Sequence, residues 1–104
     1  MSKSPRCLYE STIADFIHET DMHIFGSLNN NYHGDMRTTS REAWNDEIRI
    51  MKDNLSRLDD KSGNIIFEYD IPRLGKRIDV TLLYKGIVFC IEFKVGESRI
   101  LEGD

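Results

Sequence analysis

The sequence has few of the residues that mark several classes of protein. Its only cysteines, Cys7 and Cys90, stand far apart, which excludes a disulfide framework or a zinc knuckle and is typical of a reduced chain. No stretch approaches the roughly 18 apolar residues of a membrane span. Residues 1–5 are not followed by the apolar segment of a secretory signal. We therefore expect a cytoplasmic protein with no membrane association.

A strong positive charge is also missing. The formal net charge is −4, so any binding to nucleic acid must come from a local basic patch and not from the overall field. The chain of 104 residues, with 39% hydrophobic and 10% aromatic residues, is sufficient for one packed core. We expect a single domain over 1–104, with its core at about 9–96.

The first half of the chain has the periodicity of helices. Apolar residues recur at helical spacing over 9–28, which predicts a helix there with a break near Thr20. The polar residues 29–37 predict a loop. A second helix is predicted over 39–58, where a capping box precedes an apolar stripe that begins at Trp44.

The second half has the pattern of strands. Alternating residues predict strands over 64–71, 76–84 and 87–95, and the last two are joined by the two-residue turn Lys85-Gly86. The expected fold class is α+β, with N-terminal helices packed on a three-stranded antiparallel sheet. One face of the final hairpin, from Ile78 to Val95, is apolar throughout and is expected to be buried.

The hairpin register brings charged residues together. A two-residue turn pairs Tyr84 with Ile87, and the same register sets Asp79 opposite Glu92. Side chains so placed have Cβ atoms about 5 Å apart, and two carboxylates there repel each other. Neighbouring cations on an exposed surface are one explanation. The other is a divalent cation held between the carboxylates, with Lys94 beside it.

Other charged residues leave two interpretations open. Glu47 lies at the rim of the apolar stripe, where it either reaches the edge of the sheet or stays solvated. Arg73, Lys76 and Arg77 either hold a DNA phosphate or form a solvated loop that offsets nearby acids. Glu68 and Asp70 alternate with apolar residues of the first strand. They either border the site or are exposed to solvent, and exposure is the expectation.

Two stretches of sequence carry a resemblance to a known family. Residues 67–80 read FEYDIPRLGKRIDV and residues 91–96 read IEFKVG. An Asp within one strand followed by Glu-x-Lys on the next resembles the PD-(D/E)xK nuclease superfamily, with Ile78 in place of the proline. The two stretches together look like the N-terminal nuclease-like domain of a family of bacterial DNA/RNA helicases.

The resemblance implies a restriction-endonuclease-like core and a specific site. Asp79 and Glu92 would be metal ligands, with the backbone carbonyl of Phe93 as a third. Lys94 would be the catalytic lysine, and Glu47 the acid from the first helix. The implied reaction is hydrolysis of DNA phosphodiester bonds by activated water, dependent on Mg²⁺ or Mn²⁺.

The chain also departs from the family pattern. The superfamily core is αβββαβ, but only 10 residues follow Lys94, whereas a crossover to a parallel strand takes about a dozen or more. We therefore expect a partial core. No Gly-rich phosphate loop of a helicase motor is present in the sequence. The alternative function is a non-catalytic binding or assembly module, whose open sheet edge pairs with a second copy or with another chain.

Overall fold

The computed structural model describes residues 6–32 and 41–93. It shows an α+β fold in which a four-stranded antiparallel sheet, in the order β1-β2-β3-β4, packs with three helices. The elements in chain order are β1 Tyr9–Thr12, α1 Ile13–His18, α2 Asp21–Asn31, α3 Arg41–Leu55, β2 Asn64–Ile71, a 3₁₀ turn Pro72–Leu74, β3 Lys76–Tyr84 and β4 Ile87–Ile91.

The first strand corrects the predicted three-stranded sheet and the helix predicted over 9–28. Tyr9–Thr12 pairs with β2, with Tyr9 opposite Phe67. The helix begins only after Thr12, whose side chain caps it by accepting from the Asp15 amide at 3.1 Å. Apolar residues at helical spacing did not reveal this strand, because Tyr9 and Ile13 are buried in either conformation.

The helices differ from their predicted ends. The predicted break near Thr20 is confirmed, since Thr20 caps α2 and its hydroxyl accepts from the His23 amide. The loop predicted from residue 29 is wrong for 29–31, which continue α2; there the side-chain amide of Asn31 donates to the Leu8 carbonyl. Helix α3 ends at Leu55, three residues before the predicted end, and its predicted capping residue, Thr39, lies outside the described residues.

The strands of the second half match the sequence pattern closely. The predicted strands over 64–71 and 76–84 have the observed bounds of β2 and β3. The hairpin register is confirmed from Tyr84↔Ile87 to Val80↔Ile91. Lys85 and Gly86 both have positive φ, the combination that two-residue hairpin turns of type I′ require. The strand predicted over 87–95 ends at Ile91, and residues 94 and 95 lie outside the described part.

A single cluster of apolar side chains joins the helices to the sheet. Its largest fully buried members are Ile13, Phe16, Ile24, Leu28, Trp44, Ile48, Ile65, Phe67 and Val80. The expectation that the whole apolar face of the hairpin is buried is wrong for Ile87 and Phe89, which are 56% and 40% exposed. Both lie on β4, the edge strand, where neighbours pack less completely than around β3. No helix within the described residues is long and apolar enough to cross a membrane.

Candidate metal centre

Glu47 occupies an unusual position on α3. Its side chain is fully buried, so the solvated alternative is wrong: the helix turns this side chain into the interior. Neither carboxylate oxygen has a hydrogen-bond partner among the described residues. Burial, together with the negative charges of Asp79, Glu68 and Asp46, raises the pKa of Glu47 to about 8. An unpaired buried carboxylate is strongly disfavoured unless it takes up a proton or meets a cation.

Glu68 is the second buried acid, and its predicted exposure is wrong. Strand alternation would turn Glu68 away from the interior that its neighbour Phe67 occupies. Instead both residues are fully buried, because the φ of Glu68 is +56°, in the left-handed region. Its Oε2 accepts a hydrogen bond from Trp44 Nε1 at 3.1 Å. The backbone kink thus brings a carboxylate beneath helix α3.

Asp79 lies across from Glu68 on the neighbouring strand. The ladder pairs Phe67 with Val80 and Tyr69 with Ile78, so Glu68 and Asp79 stand at the same level between these two pairs. Asp79 is partly exposed, and its Oδ2 accepts a hydrogen bond from the Phe93 amide at 2.8 Å. Acids from α3, β2 and β3 therefore lie close enough for the charges of Glu68 and Asp79 to act on Glu47.

Three predicted site residues follow β4, and the two that the structure describes differ in their contacts. Glu92 comes directly after the last β3–β4 pair, and its Oε2 is 3.2 Å from Lys76 Nζ, with both side chains about half exposed. Phe93 contacts Asp79 through its amide, whereas its predicted role as a carbonyl ligand stays a prediction. Lys94, the predicted catalytic lysine, lies outside the described residues.

The predicted basic cluster is divided among three environments. Arg77 Nη1 donates to the Glu68 carbonyl at 2.7 Å, which supports the kinked backbone of the acidic site. Lys76 pairs with Glu92. Arg73 is exposed on the 3₁₀ turn, where it lines an open cavity of about 600 Å³ together with Arg6. Of the three, only Arg77 contacts an acid of the buried group, through the backbone of Glu68.

A cation fits this site by the chemistry of its donors, since carboxylate oxygens are the ligands of hard divalent cations. Within residues 6–32 and 41–93 no group of three or more His, Cys, Asp or Glu side chains is arranged to hold a metal ion. Mg²⁺ commonly takes one or two protein carboxylates and completes its shell with water and substrate phosphate. The side chain that fits such an ion is Glu47, which is buried without a hydrogen-bond partner among the described residues and is close enough to Asp79 for their charges to interact.

Glu68 is the acid of this site that strand periodicity misassigned. A left-handed φ at a non-glycine residue leaves no mark in the sequence. One signal was present, however: a buried tryptophan needs an acceptor for its indole N–H, and Trp44 is the only tryptophan of the chain.

Comparisons of the chain with protein-family models, curated proteins and solved structures found no match. The function of the chain must therefore be inferred from the residues of the site.

Proposed function

We propose that the chain is a nuclease that binds Mg²⁺ or Mn²⁺ and hydrolyses DNA phosphodiester bonds. The observation that carries the proposal is the Glu47 carboxylate, buried without a hydrogen-bond partner among the described residues and close enough to Asp79 for their charges to interact. A divalent cation would neutralise both acids. The resemblance of residues 67–80 and 91–96 to the PD-(D/E)xK superfamily supports the same residues for the same role.

Each residue has a separate task in this proposal. Asp79 and Glu47 would supply oxygen ligands to a bound cation, and Glu92, which pairs with Lys76 in the structure, would contribute only after releasing that ion pair. When bound, the cation activates water and neutralises charge on a phosphate. Lys94 provides an ammonium group that stabilises charge developing on the scissile phosphate. Arg73 and Lys76 hold neighbouring phosphates and so position the strand.

A cleavage assay tests this function. Purified protein is incubated with plasmid and with single-stranded DNA in Mg²⁺, in Mn²⁺ and in EDTA. We expect cleavage only with the divalent cation, loss in EDTA, recovery on excess Mg²⁺, and loss in Lys94→Ala. Lys85→Ala is the matched control, because Lys85 lies at the hairpin turn and pairs with Asp60. Equal cleavage in EDTA, or by Lys94→Ala, would contradict the proposal.

The edge strand β4 favours a second candidate function, assembly with another copy of the chain. The residues Ile87–Ile91 are uncharged, and β4 is the last strand of the sheet in the described part of the chain. Ile87, Val88 and Phe89 are exposed large hydrophobic residues. Two copies of such a strand can pair antiparallel without repulsion between like charges, and pairing would cover these side chains.

A measurement of the molecular mass in solution tests whether two copies pair through β4. We expect wild-type protein to elute as a dimer in size-exclusion chromatography with light scattering, and Val88→Lys to elute as a monomer because a lysine on an edge strand opposes pairing. Met22→Lys is the control, since Met22 is exposed on α2, away from the edge. A monomeric wild-type protein at high micromolar concentration would rule out pairing through β4.

A further inference from the structure

We propose that the cavity between Arg6 and the 3₁₀ turn binds an unpaired nucleotide, so that the preferred substrate of the chain is single-stranded DNA. The cavity has a volume of about 600 Å³, and its lining includes Arg6, Tyr69, Pro72, Arg73 and Leu74. This inference rests on the proposed function, to which it adds the strand form of the DNA and a binding site outside the buried acids.

The two arginines of this cavity give the first argument. Neither the Arg6 nor the Arg73 side chain has an ion-pair or hydrogen-bond partner among the described residues. The other lysine and arginine side chains that the structure describes all contact an acid or a carbonyl: Arg49, Lys52, Arg57, Lys61, Lys76, Arg77 and Lys85. The lining of the cavity includes a single acid, Asp70. Two guanidinium groups that lack a protein partner in the described structure therefore meet at one cavity, and phosphate is the anion that a guanidinium group binds most specifically.

The backbone holds both arginines in place. The Arg6 carbonyl accepts a hydrogen bond from the Asp70 amide at 2.6 Å, which ties the chain before β1 to β2. Arg73 belongs to the 3₁₀ turn, which the Gly75 amide closes by donating to the Pro72 carbonyl at 3.0 Å. Because both arginines stand on backbone that is already hydrogen-bonded, less conformational entropy is lost when a ligand binds them.

The apolar part of the lining suits a nucleotide base. Tyr69 contributes an aromatic side chain, and Leu74 is 64% exposed although it is a large apolar residue. Cations together with aromatic side chains are the usual composition of sites for single-stranded nucleic acid. A base within a duplex must be unpaired and unstacked before it can enter a cavity, whereas a base of a single strand avoids most of that cost. The cavity therefore favours single-stranded DNA over duplex DNA.

The cavity lies close to the proposed cation site along the sheet. Ile71, at the end of β2, stands three residues after Glu68, which corresponds to about 10 Å along a strand. Asp70 pairs with Arg77, two residues before Asp79. Successive nucleotides of one DNA strand advance by about 3.4 Å, so roughly three nucleotides cover this distance. One strand of DNA is thus long enough to reach both sites.

Fluorescence anisotropy in EDTA, where cation-dependent cleavage is prevented, tests the inference. The probes are a short labelled oligo(dT), its duplex with oligo(dA), and a strand of the same length that carries no bases. We expect oligo(dT) to bind about 10-fold more tightly than either of the others, the effect of stacking one base. Arg73→Gln and Arg6→Gln should each weaken the binding of oligo(dT) and reduce its salt dependence, because each removes a phosphate contact. Arg57→Gln, which removes the same charge from an exposed pair with Asp53, should match the wild type.

The outcomes separate this inference from the function it deepens. If wild-type protein binds the duplex or the strand without bases as tightly as oligo(dT), or binds none of the probes, the nucleotide site is overturned, and this result needs no variant to fold. Equal weakening by Arg73→Gln and Arg57→Gln would also overturn it, since overall charge would then explain binding. If the preference for oligo(dT) depends on Arg73 but no DNA is cleaved with Mg²⁺ or Mn²⁺, the proposed nuclease activity fails and the nucleotide site stands as a binding site.

Discussion

Exchanging Asp79 for asparagine is expected to reduce cation-dependent DNA cleavage by at least about 100-fold while leaving the fold intact. A bound cation supplies several kcal/mol of transition-state stabilisation, and about 2.7 kcal/mol already corresponds to 100-fold in rate. Asparagine keeps an oxygen that can accept from the Phe93 amide, the hydrogen bond that Asp79 makes at 2.8 Å. It removes the negative charge that faces Glu47.

The comparison needs a matched variant and a check of folding. Asp53→Asn makes the same chemical exchange on α3, where Asp53 is exposed and pairs with Arg57, and it should cleave at the wild-type rate. The circular dichroism spectra and the melting temperatures of both variants should be close to those of the wild type. Wild-type cleavage by a folded Asp79→Asn protein would remove Asp79 from the site.

Replacing Glu47 with leucine is expected to stabilise the protein, and to do so more strongly at high pH. The pKa of Glu47 is raised from an ordinary value of 4.5 to about 8, so the folded state holds a proton that the unfolded state releases. The contribution of Glu47 to the free energy of unfolding is therefore most favourable below about pH 4.5. It declines as the pH rises and is lowest above about pH 8. Between these limits the free energy of unfolding falls by up to about 1.4 kcal/mol per pH unit.

Urea unfolding in EDTA at pH 5 and pH 8 measures this effect. The stability gained by Glu47→Leu over the wild type should be about 3 kcal/mol larger at pH 8 than at pH 5. Met22→Leu, which exchanges an exposed side chain that does not titrate, should show the same difference from the wild type at both pH values. An equal gain from Glu47→Leu at both pH values would mean that Glu47 is not buried as a proton-binding acid.

The hairpin shows what the sequence predicts well. The two-residue turn at Lys85-Gly86 fixes the pairing of every residue of β3 with its partner on β4. The register from Tyr84↔Ile87 to Val80↔Ile91 therefore follows from counting away from the turn. The same count places Glu92 directly after that pair. It does not predict which partner a long charged side chain will choose, and Glu92 contacts Lys76. The register was predictable because it is local, whereas ion pairing depends on the three-dimensional surroundings.

Two acids show where sequence periodicity fails. The helical phase of Glu47 placed it near the packed face, but its complete burial depends on how α3 packs, which only tertiary structure determines. Glu68 was assigned to solvent because strands alternate, and one left-handed residue reverses that assignment. The first strand was missed for a related reason: the apolar spacing at Tyr9 and Ile13 suits a helix, and a threonine cap decides where the helix begins.

The central claim is that a divalent cation binds between Glu47 and Asp79, and a crystal structure of the protein grown with Mn²⁺ tests it most directly. The proposal predicts an anomalous scattering peak bounded by carboxylate oxygens of both residues, at metal–oxygen distances of roughly 2.0–2.2 Å, in the range known for small hard cations. A structure in which the Mn²⁺ peak lies elsewhere, with the Glu47 carboxyl group still enclosed by protein alone, would contradict the proposal.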